Sequence, residues 1–211
     1  MRVLYVAIDA MKIEIANYIH EWVNSFEQIK KELQTILGKF NPKIEHIGST
    51  SVPNLAAKPV IDIAVGIDSF QDLDNTVEPM VQNFYLYYEV YNSSMPLRRL
   101  FVGLKDKKHH LKFKNIYKEG DSIPHEQILT HRLCHVHICE FGTSEWLRHI
   151  AFRDYLIENP KIKAQYEALK KLLSTKNWSN GNEYNYGKNS FIKTEESKAI
   201  LWYNEKHNAT H

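Results

Sequence analysis

The sequence predicts an α/β (α+β) domain in which a mixed β-sheet is flanked by helices and followed by a C-terminal helical segment. Three observations predict it. Apolar residues recur three or four apart from Tyr18 to Leu37, short apolar runs at 44–47, 60–67 and 133–139 read as strands, and the last third shows helical periodicity with cap signals.

Taken in order, residues 1–8 suit a strand or a short apolar start and are too few for a cleaved leader. Ile19, Trp22, Val23, Phe26, Ile29, Leu33, Ile36 and Leu37 form one face of a helix that Gly38 ends. Residues 44–47 and 60–67 are strands. Phe70, Leu73 and Val77 predict a helix over 68–80, ended by Pro79. The aromatic run 84–91 reads as a strand, and 98–103 as another after a turn at Asn92, Ser93 and Ser94. Residues 104–130 form a charged turn, a brief strand at 111–113 and a break at Gly120, and have the look of an insertion. After the strand at 133–139, one helix starts with Thr143 or Ser144 as cap. A second starts at Asn159 with Pro160 in its first position, and a last one runs from about Asn189 to Trp202 before a frayed end. The expected organisation is a single domain over 1–211, with an α/β core at 12–140 and the helical segment at 141–206.

The chain has 211 residues, 43% hydrophobic and 25% charged, which suits one globular domain. With 27 basic and 25 acidic residues its net charge is +2, which does not favour a nonspecific nucleic-acid binder. No apolar run is long enough to cross a bilayer, so a membrane is not expected and the cytoplasm is the default compartment. Cys134 and Cys139 fall on opposite faces of one strand and are not expected to pair. Trp22, Trp146, Trp178 and Trp202 read as core or interface anchors.

The chemistry concentrates between His46 and Ile63. Gly48 lets the backbone approach a ligand, and Ser49, Thr50 and Ser51 offer hydroxyls and amides to phosphate oxygens. Lys58 follows in a small-residue loop, and Asp62 stands alone among branched aliphatics in the next strand. A carboxylate there must be hydrogen-bonded or bind a metal. His135 and His137 alternate on their strand and share a face, an arrangement suited to metal ligation, phosphate binding or proton transfer. Of Arg98 and Arg99, one must point inward towards an anion, either a bound phosphate or an acid such as Glu89. Arg153 and Asp154, adjacent on a helix, are expected to pair with other elements rather than each other. Tyr184 and Lys188 are one helical turn apart, and Lys188 is placed to reach a phosphate.

The run His46-Ile47-Gly48-Ser49-Thr50-Ser51-Val52-Pro53-Asn54-Leu55-Ala56-Ala57-Lys58-Pro59-Val60-Ile61-Asp62-Ile63 resembles the signature of the GrpB family. His135-Val136-His137-Ile138 with Trp146, and Ala151-Phe152-Arg153-Asp154-Tyr155-Leu156 with Pro160, are similar to its second block. Tyr184, Lys188, Phe191 and Ile192 resemble its closing motif. The resemblance implies a nucleotidyltransferase-like fold, and a family also found fused behind some dephospho-CoA kinases. The expected ligand is a nucleotide or another phosphorylated small molecule, and the residues expected to bind it are Gly48, Ser49, Thr50, Ser51, Lys58, Arg98, Arg99 and Lys188. A divalent metal (magnesium or manganese, or else zinc) is expected, with Asp62, His135 and His137 facing one cleft as its ligands. In active members of that fold a second acid stands two positions after the first, and the pair holds two metals. Here that position is Ala64, so a catalytically inactive binding or partner-stabilising module is the alternative to a nucleotidyltransferase.

Overall fold

The computed structural model describes residues 12–178 and 181–208. The opening run 1–8 and the last residues of the tail lie outside the described residues. Strands β1 (Lys43–Ile47), β2 (Ile61–Ile67), β3 (Leu86–Tyr87), β4 (Arg98–Leu104) and β5 (Arg132–Glu140) form one sheet in the order β1-β2-β5-β4-β3. Only β2 and β5 run parallel; the other neighbours are antiparallel, so the sheet is mixed. The α/β class with a mixed sheet and closing helices is therefore correct.

One sheet face buries Ile61, Ile63 and Val65 of β2 with Cys134, Val136 and Ile138 of β5. Helix α1 (Glu21–Leu37) covers it with Trp22, Phe26, Ile29, Leu33 and Leu37. Its N-terminal residue makes no side-chain cap. Burial of those five side chains, at about 1.5–3 kcal/mol each, holds the helix instead. The other face buries Ala64 and Cys139 against Trp146 and Ile150 of α4 (Ser144–Glu158). Cys134 and Cys139 thus lie on opposite faces, both free.

Helix α5 (Pro160–Ser174) begins with the expected proline, and α6 (Gly181–Asn208) is a 28-residue helix that starts well before Asn189. Tyr166 of α5 stacks on Phe191 of α6 at 5.3 Å, and Tyr155 of α4 meets Trp202 edge-on at 5.7 Å. Trp22 and Trp146 are buried as anchors, and Trp178 packs edge-on against Tyr184.

Four expectations are corrected. The expected helix over 68–80 is two 3₁₀ turns followed by α2 (Val77–Gln82). Pro79 does not end α2; it sits in its first turn, where no amide partner is needed. The aromatic run 84–91 yields only the two-residue β3, because Tyr87 also bridges to Ile116 and Glu89–Tyr91 coils into a 3₁₀ turn. Residues 111–113 form no strand; a 3₁₀ helix spans Lys107–Lys112, and α3 (His125–His131) leads directly into β5. Arg153 bonds Asp154 after all, at 2.7 Å, while also donating to Glu45 at 2.7 Å and to the His46 carbonyl at 3.0 Å. It therefore ties α4 to β1. Arg153→Ala is expected to lower unfolding stability by about 2–4 kcal/mol, since charged hydrogen bonds contribute about 1.5–3 kcal/mol each and are not additive. Urea denaturation checks it.

Candidate functional site

Asp62 lies on the α4 side of the sheet, beside Gly48. In the register β1 places Ile47 opposite Asp62, so the chain leaves the strand at Gly48 directly against the carboxylate. Gly48 has φ +70° and ψ −171°, a conformation nearly confined to glycine, and a Cβ there would overlap the Asp62 carboxylate and sit 2.9 Å from Asp62 Cβ. The glycine is required by both backbone shape and close approach.

Residues 49–51 then form a 3₁₀ turn, each hydroxyl with a partner. Ser51 Oγ donates to the Gly48 carbonyl at 2.6 Å, Thr50 Oγ1 bonds His46 Nε2 at 3.0 Å, and Ser49 bonds the phenol of Tyr166. His46 is stacked on Phe26, and burial brings its pKa down to about 4, so it is neutral near pH 7. Gly48, Ser49 and Thr50 border a cavity of about 580 Å³, whereas Ser51 does not.

The same cavity receives Lys58, Asp62, His135, His137 and Lys188. Parallel pairing of β2 with β5 sets Asp62 beside His135 and Ala64 beside His137. His135 Nδ1 donates to Asp62 Oδ1 at 2.8 Å. Burial pushes the Asp62 carboxyl up, but the hydrogen bond and charge of His135, aided by Lys188, hold it below the usual carboxylate range. Its side chain keeps 32% of its accessible surface, facing the cavity. His137 is half-buried, desolvation holds its pKa well below the ordinary value, and its buried Nδ1 has no hydrogen-bond partner among the described residues.

Lys58 and Lys188 both lie over the ring of Tyr184, at 4.2 and 4.7 Å from its centroid. Burial and the charges of Lys188 and Arg132 bring Lys58 down to about 7, against a small upward pull from Asp62. Burial brings Lys188 down to about 8. Lys170, buried beneath them, bonds the Ala56 carbonyl and is lowered to about 7. Among the described residues Lys58, Lys188 and Arg132 have no carboxylate within ion-pair distance. Arg148, also at the cavity wall, is matched by Glu145 and Glu196. The cavity therefore holds cations in excess of acids, and the missing charge is negative.

Arg98 and Arg99 do not join the site. Arg98 faces α4 and pairs with Glu145 at 2.9 Å; Arg99 faces the other side of the sheet and pairs with Asp74 at 2.7 Å. Both anions come from the protein, and neither is Glu89, so an anion-binding role for Arg98 and Arg99 is withdrawn, as it is for Ser51. Sequence reading missed Arg132, Tyr166 and Lys170. A signal for Lys170 was present, since it sits four residues after Tyr166 on the apolar stripe of α5. Arg132 gave none, because the segment delivering it shows no periodicity.

A divalent metal does not fit these residues. Among the described residues no three His, Cys, Asp or Glu side chains are grouped to ligate one. Ala64 takes the place of a second acid, and Asp62 spends one oxygen on His135. Lys58 and Lys188, with no acid within ion-pair distance among the described residues, also face Asp62 and repel a cation.

Fold and site together define an α+β protein with an electropositive cavity at the edge of a glycine-serine turn. The GrpB protein family matches residues 12–198, and the chain belongs to it. A crystal structure of GrpB from Enterococcus faecalis superposes with a TM-score of 0.70 at 34% identity, covering 90% of this chain and 99% of that one. The UPF0157 protein YqkA of Bacillus subtilis is 33% identical over 94% of this chain but only 50% of its own length. The glutamate-rich protein GrpB of Alkalihalophilus pseudofirmus is 29% identical over 86% of this chain and 92% of its own. This chain thus spans half the length of the first of these curated relatives. Among the described residues no helix is long and apolar enough to cross a membrane.

Proposed function

We propose that this chain binds a phosphorylated small molecule, a nucleotide being the leading candidate, with its phosphate between Lys58 and Lys188 and without a divalent metal. The single observation that supports this is the pair of lysines over Tyr184, lowered to about 7 and 8 and lacking acid partners among the described residues. Holding unpaired ammonium groups in a partly closed space is costly, and a phosphate dianion offsets that cost. Nucleotidyl transfer by two metals is the weaker reading, since Ala64 removes one carboxylate and His135 occupies the other. Ribose 5-phosphate is expected to raise the thermal midpoint of the protein in EDTA as much as in magnesium or manganese. A rise that requires the metal would overturn the reading.

The 2.8 Å bond between His135 and Asp62 favours a second reading, in which the bound ester also reacts. With Nδ1 committed to the carboxylate, Nε2 is the basic nitrogen. It would take the proton of a hydroxyl or water as that oxygen bonds phosphorus, and return it to the oxygen that leaves when the ester bond breaks. His135→Gln is expected to abolish phosphate release from a phosphomonoester while changing its affinity less than fivefold. Equal turnover by the variant would dismiss acid–base chemistry at His135.

A further inference from the structure

The cavity does not end at the lysines. It runs along the sheet from the β1–β2 turn, past His135 and His137 on β5 and Leu100 on β4, to Tyr88 and Tyr91 beyond β3. His125 and Leu129 of α3, and Arg132 at the start of β5, close this far end. The rings there are set around Tyr88: Tyr91 at 5.9 Å and His125 at 6.2 Å, both edge-on. An aromatic hollow of this kind accepts a planar ring by stacking.

Two donors at this end are unsatisfied. Tyr88 is 3% exposed, yet its hydroxyl has no hydrogen-bond partner among the described residues, and Arg132 Nε also has none. The Tyr88 hydroxyl lies within interaction range of the Arg132 guanidinium, whose Nε stays unpaired among the described residues, and both residues line the hollow. Buried polar groups are paired in folded proteins, so an unpaired pair on one cavity wall marks a place for a ligand atom. Arg132 Nε can only donate, and the atom it meets must be an acceptor.

We propose that this end is a nucleobase subsite that selects bases with a carbonyl on the recognised edge, such as uracil or hypoxanthine, over the amino-bearing cytosine and adenine. The inference rests on the phosphate reading for the ligand's other end: a ring docked against Tyr88 with its phosphate towards Lys58 and Lys188 makes the ligand a nucleotide. Discrimination arises because an exocyclic amino group would face the donor-only Arg132 Nε and leave it unpaired.

The test uses the full chain with ribose 5-phosphate, UMP, CMP, IMP and AMP, and with uridine and inosine alone. Affinity comes from calorimetry and location from the amide and ring resonances of Tyr88 and Leu129. UMP or IMP is expected to bind at least tenfold tighter than ribose 5-phosphate, with CMP and AMP within threefold of it. Tyr88→Phe and Arg132→Lys, each checked for an intact thermal transition, are expected to cut UMP affinity about tenfold and ribose 5-phosphate affinity no more than threefold. Equal binding of ribose 5-phosphate and all nucleotides would overturn the base subsite and leave the phosphate reading standing. Nucleosides that shift Tyr88 and Leu129 while ribose 5-phosphate does not bind would do the reverse. No binding by any probe would overturn both.

Discussion

Replacing both Lys58 and Lys188 by methionine is expected to weaken ribose 5-phosphate binding about 10³-fold. Each charge-assisted hydrogen bond to phosphate contributes about 1.5–3 kcal/mol, and 1.4 kcal/mol is a factor of ten. The wild-type protein carries a proton signature that the variant lacks. With Lys58 at about 7 and Lys188 at about 8, the free protein at pH 8 holds roughly half a proton on the pair. A dianion between them restores both pKa values towards the ordinary range, so binding takes up about one proton or slightly more. Calorimetry at pH 8 in buffers of different ionisation enthalpy reads this directly. The sign for stability follows from the same shifts. Between about pH 7 and the ordinary lysine value of 10.5 the unfolded chain binds more protons at these positions, so they make the free protein gain stability as pH rises. Affinity for the dianion moves the opposite way, falling from about pH 7 upward as the free lysines lose their protons. A binding enthalpy independent of buffer would rule out the lysines as the phosphate contacts.

Gly48→Ala is expected to be the most damaging single methyl in the site. Its φ of +70° with ψ of −171° costs a non-glycine residue about 1–3 kcal/mol, and the new Cβ would overlap the Asp62 carboxylate. Together these amount to about 2–4 kcal/mol of lost stability, or a melting point lower by about 4–16 °C for a chain of this size. The effect on the site is larger than the stability loss alone, because relief comes by moving Asp62 away from His135. Loss of ribose 5-phosphate binding should therefore accompany the lower midpoint. Gly38→Ala is the control: Gly38 ends α1 with φ −51°, and a Cβ added there would meet nothing within 4 Å, so stability should change by less than about 1 kcal/mol. Comparable losses at Gly48 and Gly38 would show that the close approach to Asp62 has no special cost.

The parts legible in the sequence are those set by local periodicity. The stripe from Trp22 to Leu37, the apolar strand around Asp62 and the alternation of His135 with His137 each fix a face, and faces determine what meets across a sheet. Hence Gly48, Asp62, Lys58 and the two histidines border one cavity, and Lys188 joins them because α6 begins early enough to make Tyr184 and Lys188 helical neighbours. What was illegible depends on contacts distant in sequence. Arg98 and Arg99 look alike on paper, yet their partners Glu145 and Asp74 come from elements 47 and 25 residues away. Residues 104–130 carry no period because they are mostly 3₁₀ and turn, yet they supply His125 and Leu129 to the cavity wall. Pro79 misled because a proline's effect depends on where in a helix it falls; in the first turn it is compatible with one.

The most direct test of the central claim is calorimetric titration of ribose 5-phosphate into the wild-type protein and the Lys58→Met/Lys188→Met variant, each in EDTA and in excess magnesium. A lysine-held phosphate predicts binding by the wild type that is equal in the two solutions and lost in the variant. Binding that appears only with magnesium and persists without the lysines would contradict it.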